Sequence, residues 1–202
     1  MTNVFHPSRY LAVLAMALLT LASGCAWLPS TAPSPRLDSL PLTDTLERRL
    51  TFVPDDAPQR TRKLIALIRL DDEQLRAVFL TPYGQRLATL VHDAEGSRFE
   101  EGDLPRQALE EALPVSPEWL ASRLEWSLWP PVALEEAFTG TPWSVDIVED
   151  VRVIRFHGRV MARVTPPATD ATRDEAVLLD DRQGKYRLRI APLEAPRREP
   201  PE

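Results

Sequence analysis

One cysteine, Cys25, stands among 202 residues. The chain can therefore form no internal disulfide, no four-thiolate zinc site and no C-x-x-C redox pair. Histidine is nearly as scarce. His6, His92 and His157 are the whole set, none falls in an H-E-x-x-H motif, and no two stand at metal-ligand spacing. Positive charge is the minority, with 24 lysines and arginines against 30 acids and a formal net charge of −6. No concentrated basic segment offers a surface to phosphates, which argues against nucleic acid as a partner. The G-x-S-x-G elbow, the P-loop and G-x-G-x-x-G are missing as well, and with them the commonest signatures of hydrolase and nucleotide chemistry. No residue set calls for a metal or a cofactor. What is present is a globular composition, 44% hydrophobic and 27% charged, in a length that suits one domain with tails.

The amino-terminal residues follow a pattern of their own. Arg9 is the only formally charged residue of 1–9, residues 10–21 (YLAVLAMALLTL) are predominantly apolar, and Ala22, Ser23 and Gly24 lead directly to Cys25. This order of charge, apolar run and small residues is that of a secretory signal, and the run is too short to span a bilayer comfortably. With Cys25 at its end, the segment resembles a bacterial lipoprotein signal, which is cut before a cysteine that already carries diacylglycerol. Those signals prefer leucine three residues before the cysteine, where this chain has Ala22. The resemblance implies a signal peptide at 1–24, lipid attachment at Cys25 and anchoring in membrane lipid through the diacylglyceryl cysteine. Aspartate after the cysteine often marks retention in the inner membrane. Ala26 stands there instead, which implies the outer membrane of a Gram-negative bacterium, with the chain facing the periplasm.

Pro29, Pro33, Pro35 and Pro41 make 25–41 an extended tether, because proline neither continues a helix nor donates to a sheet. Proline and charge make 192–202 a frayed, disordered tail. Between them, 42–191 is expected to form a single β-rich domain. Residues 62–70 (RKLIALIRL) place Leu64, Ala66, Ile68 and Leu70 on one face at period two, and 74–81 do the same with Leu75, Ala77 and Phe79. Further strands are expected at 45–53, at 86–92 and around Phe99, then at 143–148, 151–157, 160–164, 176–179 and 185–191. Turns at Asp71-Asp72-Glu73, Pro82-Tyr83-Gly84, Ala94-Glu95-Gly96 and 181–184 separate them. Spacing this close predicts an antiparallel meander.

A helical stretch interrupts the strands. Ser116, Pro117 and Glu118 supply an N-cap, a proline at the first helical position and an acid in the first turn. The helix should run to about Leu128 and stop at Trp129-Pro130-Pro131, with a second short helix over 131–138. Leu120, Leu124 and Leu128 recur every four residues as a core-facing stripe. Trp119 and Trp126 share a neighbouring face, and Trp129, Phe138 and Trp143 follow closely. These rings either fill the core between helix and sheet or line a hydrophobic cavity that the helix lids. The expected fold class is mainly β (α+β), a curved antiparallel sheet or incomplete β-barrel with the helical insertion acting as lid.

The segments TPYGQRLATLVHD at 81–93 and WLASRLEWSLWPPVAL at 119–134 resemble a proteobacterial lipoprotein family of unknown function. Its members are often encoded among aryl-polyene or fatty-acid-synthase-like biosynthesis genes. The order of elements is also compatible with the half-barrel of the lipoprotein carriers LolA and LolB. Together these resemblances imply a periplasmic lipoprotein that binds or transfers an acylated or polyene cargo, the cavity being lined by Trp119, Leu120, Leu124, Trp126, Trp129, Phe138 and Trp143. Another envelope carrier or an export protein would be its partner. The alternative is a structural or assembly subunit docking on a partner protein, and a hydrolase or transferase is the remote third.

Catalysis has little to stand on in the sequence. His92-Asp93 ends a strand and His157-Gly158 reads as a turn, so both histidines are expected at the surface. The acidic pairs Asp71-Asp72, Glu110-Glu111, Glu135-Glu136 and Asp180-Asp181 fall at turns or on surfaces where charge is solvated. The chain is not expected to be an enzyme.

Overall fold

A computed structural model describes residues 31–40, 45–71, 73–167 and 176–193. The expected signal segment at 1–24, Cys25 and residues 194–202 of the expected tail lie outside the described residues. Apolar and polar side chains alternate at period two through 62–70 and 74–80, and the described residues hold ten strands in all. They are β1 (Leu46–Pro54), β2 (Arg62–Leu70), β3 (Gln74–Leu80), β4 (Arg86–Asp93) and β5 (Gly96–Glu101), then β6 (Trp143–Val148), β7 (Val151–Phe156), β8 (Arg159–Thr165), β9 (Val177–Asp181) and β10 (Tyr186–Pro192). Three helices separate the two sets: α1 (Arg106–Ala112), α2 (Pro117–Leu128) and α3 (Pro131–Phe138).

Every neighbouring pair is antiparallel, in the order β5-β4-β3-β2-β1-β10-β9-β8-β7-β6. The chain therefore starts in the middle of the sheet and meanders outward to β5. It crosses through the helices to the opposite edge at β6 and meanders back, until β10 pairs with β1. Since β5 and β6 are not paired with each other, the sheet is open. Tight hairpins set the register; between β6 and β7, Glu149 and Asp150 both take positive φ (50° and 66°), the backbone of a turn whose twist matches the strands it joins.

Local chemistry accounts for the helices. The Ser116 side chain accepts from the Trp119 backbone N–H at 3.2 Å, with Pro117 next to it, so α2 begins where its cap residue predicts. Trp129 leaves helical geometry ahead of the Pro130-Pro131 pair. Helix α1 was not expected. Strong helix formers fill it, Gln107 to Ala112, and Ala108, Leu109 and Ala112 pack against the core. Residues 31–40, expected as tether, also meet the domain: Ala32 is buried, and Leu37 and Leu40 pack against the core.

All ten strands contribute apolar side chains to one core, among them Leu50, Phe52, Ile68, Phe79, Leu90, Ile154, Leu179 and Ile190, with Phe99 of β5 half-buried against it. Helix α2 is at its centre. Eight consecutive residues, Leu120 to Ser127, are buried, so the helix is enclosed all round rather than laid on the sheet by one face. Its side chains reach Asp181 of β9 on one side and His92 of β4 on the other. In a flat sheet those strands, five spacings apart, would be about 24 Å from each other. Two residues of one helix cannot bridge that span, so the sheet curls around α2.

Candidate functional site

A helix enclosed on all sides must find partners for whatever polar groups it carries. Helix α2 carries Ser122, Arg123, Glu125 and Ser127, all buried. Positions 123 and 125 are two residues apart, about 200° around a helix, so they leave it in opposite directions.

Toward β9, Arg123 Nε donates to Asp181 Oδ2 at 2.7 Å, Nη1 to Ser122 Oγ at 2.9 Å and Nη2 to Gln183 Oε1 at 3.0 Å. The guanidinium lies against two indoles, 4.7 Å from the Trp119 ring centre and 4.2 Å from that of Trp126. Burial pulls the Arg123 pKa down, opposed by the charge and hydrogen bond of Asp181. Asp181 Oδ1 in turn accepts the Gln183 and Gly184 N–H groups at 2.9 and 2.8 Å. One carboxylate thus shapes the β9–β10 turn and holds the helix to it. Gly184 belongs to the same contact, because a Cβ there would come within 2.9 Å of Trp119 Cζ2 and 3.0 Å of its Nε1.

Toward β4, Glu125 Oε1 is 3.1 Å from His92 Nε2. This is an ion-pair distance without hydrogen-bond alignment, since Oε1 has no aligned donor. His92 Nδ1 meets Ser97 Oγ at 2.8 Å across the β4–β5 pair. Burial pushes the Glu125 carboxyl up, with His92 and then Ser34 opposing. Glu125 raises His92, against burial of the ring. An open cavity of about 700 Å³ adjoins this pair, lined by charged groups including Arg36, Glu73, Asp93 and Arg98 besides His92. Pro35, Leu37 and Ala94 stand among these charges in its wall.

At the carboxyl end of α2, Arg152 of β7 donates from Nη1 to the carbonyls of Trp126, at 3.0 Å, and of Trp129. A cation there complements the negative end of the helix, while burial lowers its pKa. Four buried polar atoms in this neighbourhood have no partner among the described residues: Trp126 Nε1, Ser127 Oγ, Trp143 Nε1 and Arg152 Nε.

The aromatic residues singled out in the sequence divide among these surroundings. Trp126, Trp143 and Phe138 come together, with Trp126–Trp143 and Phe138–Trp143 ring centres 5.7 and 6.0 Å apart and Phe156 completing the group 4.9 Å from Trp143. Trp119 is half-buried and meets Tyr186 edge-on at 5.9 Å. Trp129 is buried elsewhere, its Nε1 donating to the Arg36 carbonyl at 3.0 Å. Leu120 and Leu124 are wholly buried. None of these seven lines the cavities at Arg36, under α1 or on the outer face of the sheet. Cys25 lies outside the described residues.

Two expectations are corrected. His92 is not a surface histidine, its side chain being 13% exposed. Asp181 is not solvated; it is completely buried. Both could have been found from period two, because Ala88, Leu90 and His92 share one strand face, as do Val177, Leu179 and Asp181. His157 does stand in a turn, exposed and at positive φ.

A second recess, about 270 Å³, opens between β5 and α1, with Phe99, Leu104, Leu109, Leu113 and Val115 in its wall. Here the apolar interior approaches solvent.

A family model described as a protein of unknown function (DUF3261) matches residues 49–194. A search of curated proteins finds no match.

Proposed function

We propose that this chain, which belongs to the DUF3261 family of proteins of unknown function, is a non-catalytic envelope lipoprotein, anchored through Cys25 in the outer membrane and facing the periplasm, that binds or transfers a hydrophobic acylated cargo. The observation that carries this reading is the occupant of the sheet. Apolar side chains of all ten strands converge on one helix, which the β ladder does not bind and which a few polar groups hold in place. With α2 withdrawn, the same side chains would line a trough for an acyl or polyene chain, each sequestered methylene contributing about 0.8 kcal/mol. The helical segment then acts as the lid of a half-barrel of the lipoprotein-carrier kind. The recess under α1 is the point of entry. The unpartnered donors at Trp126, Trp143 and Arg152 supply what a purely apolar interior would lack, groups that an ester, carboxylate or phosphate oxygen of the cargo can satisfy.

The test is tryptophan quenching in the full chain by a bromine-labelled fatty acid, read beside native mass spectrometry of the protein from its own envelope. Saturable quenching that weakens in Trp126→Phe/Trp143→Phe, together with an added mass that dissociates as a lipid or polyene, is the expected result. A clean monomer mass with no quenching would sink the carrier. The function would then pass to a docking subunit, for which Ile147 and Val148, half-exposed on the free edge β6, are the surface.

A further inference from the structure

We infer that the outer face of the sheet carries a separate site, a groove for the anionic headgroups of a phospholipid leaflet. The groove, about 530 Å³, lies across β8, β9, β10 and β1 between Val53 and Val151. Register places Arg163, Asp180 and Arg187 in one cross-strand row, and Thr165, Leu178 and Arg189 in the next. With strands about 4.8 Å apart, Arg163 of β8 and Arg187 of β10 border a patch roughly 10 Å wide. That is the scale of a phosphate with its glycerol, and guanidinium is the side chain that meets phosphate oxygens two at a time.

The middle of the patch is apolar. Leu178 is 48% exposed between the arginines, where an aliphatic side chain suits the boundary between headgroup and acyl chain. Among the described residues Asp180 is the acid that lines the groove, and it already pairs with Arg182 at 2.8 Å. Asp55 lies at the margin, 3.4 Å from Arg187. Both are solvent-exposed pairs that a second anion can exchange. Beyond the groove the same face stays basic: Thr51 lies between Arg189 and Lys63, and Arg49 follows along β1, with Glu47 the next acid. A chain of net charge −6 thus gathers arginines around one exposed leucine on one face. Charge complementarity selects a negatively charged leaflet over a neutral one. The site is across the sheet from α2, so it can fail or hold independently of the cargo reading.

The experiment is co-sedimentation of the full chain with phosphatidylcholine vesicles and with vesicles containing about a quarter phosphatidylglycerol, at low and high salt. Any lipid on Cys25 partitions into both alike, so the difference between them reports the groove. A preference for the anionic vesicles of about tenfold or more at low salt, fading at high salt, is expected. Arg163→Glu/Arg187→Glu should abolish it, whereas Arg36→Glu/Arg106→Glu, with the same change in net charge, should keep it. The milder Arg163→Gln/Arg187→Gln pair should give an intermediate preference and covers the case in which the reversed chain folds poorly. Equal partition into both vesicles, or a preference that survives the reversal, would overturn the inference. Inorganic phosphate that abolishes the preference at matched ionic strength would overturn it as well, by making the site one for a soluble anion.

Discussion

The two flanks of α2 hold the same helix by different means. On the β9 side every nitrogen of the Arg123 guanidinium has a partner, Asp181 uses both oxygens, and the ion pair itself is buried, with Gln183 reaching it from the surface. On the β4 side, Glu125 and His92 approach without alignment, a charged cavity adjoins them, and both groups titrate away from their ordinary ranges. A buried ion pair is secure only when its remaining hydrogen bonds are also made. By that measure the β9 flank is the more secure of the two. If α2 withdraws to admit cargo, it should swing from Asp181 and release at His92.

The sharpest way to break this contrast is Asp181→Ala. It strands Arg123 in the core and unties the 181–184 turn at once, so a loss of about 3–5 kcal/mol is expected in denaturant unfolding. A loss below about 1 kcal/mol would mean that water reaches Arg123 and that the two flanks are alike. Next in size is Gly184→Ala. Its methyl group must displace the Trp119 ring, costing about 1–3 kcal/mol, and Gly184→Ala/Trp119→Leu should recover part of that loss in the same assay. If the double variant is no better than the single one, the close approach at Trp119 is not what fixes glycine there. On the other flank, Ser97→Ala removes the partner of His92 Nδ1 and should cost only about 1 kcal/mol. A larger effect would show the β4 side to be as tightly built as the β9 side.

Strands β2 and β3 are legible because their side chains alternate, and β2, β6, α2 and α3 fall where pattern, cap and proline place them. Helix α1 was missed because RQALEEA has neither a capping side chain nor a long apolar stripe. The role of α2 was hidden for a different reason. Its leucine stripe looks like that of a surface helix, and only Arg123, placed between Trp119 and Leu120 on the wheel, signals that the helix has no solvent face. Pairing Arg123 with Asp181 requires the return of the chain from β6 to β9, a contact across 58 residues that no local pattern contains. His92 and Asp181 read as surface residues because each adjoins an aspartate at a strand end. The face on which each stands in its strand was the better guide.

The smallest expected effect is also the one that separates the flanks by chemistry rather than by strength. His92 is raised by Glu125, and Glu125 is raised by its own burial. Native protein therefore holds more protons on this pair than unfolded chain does, from the ordinary carboxylate range to above the ordinary histidine value of about 6.5. Where the folded state binds the extra proton, stability falls as pH rises. The unfolding free energy should thus decline from pH 5 toward pH 8 by an amount due to this pair, and the melting temperature with it, with a free-energy slope below the limit of about 1.4 kcal/mol per pH unit for one proton, because the ring is partly open to solvent screening. Glu125→Gln keeps an acceptor and removes the charge, so the decline should flatten and the His92 ring should titrate at lower pH by NMR. An unchanged slope in that variant would mean that the β4 flank does not titrate with the fold.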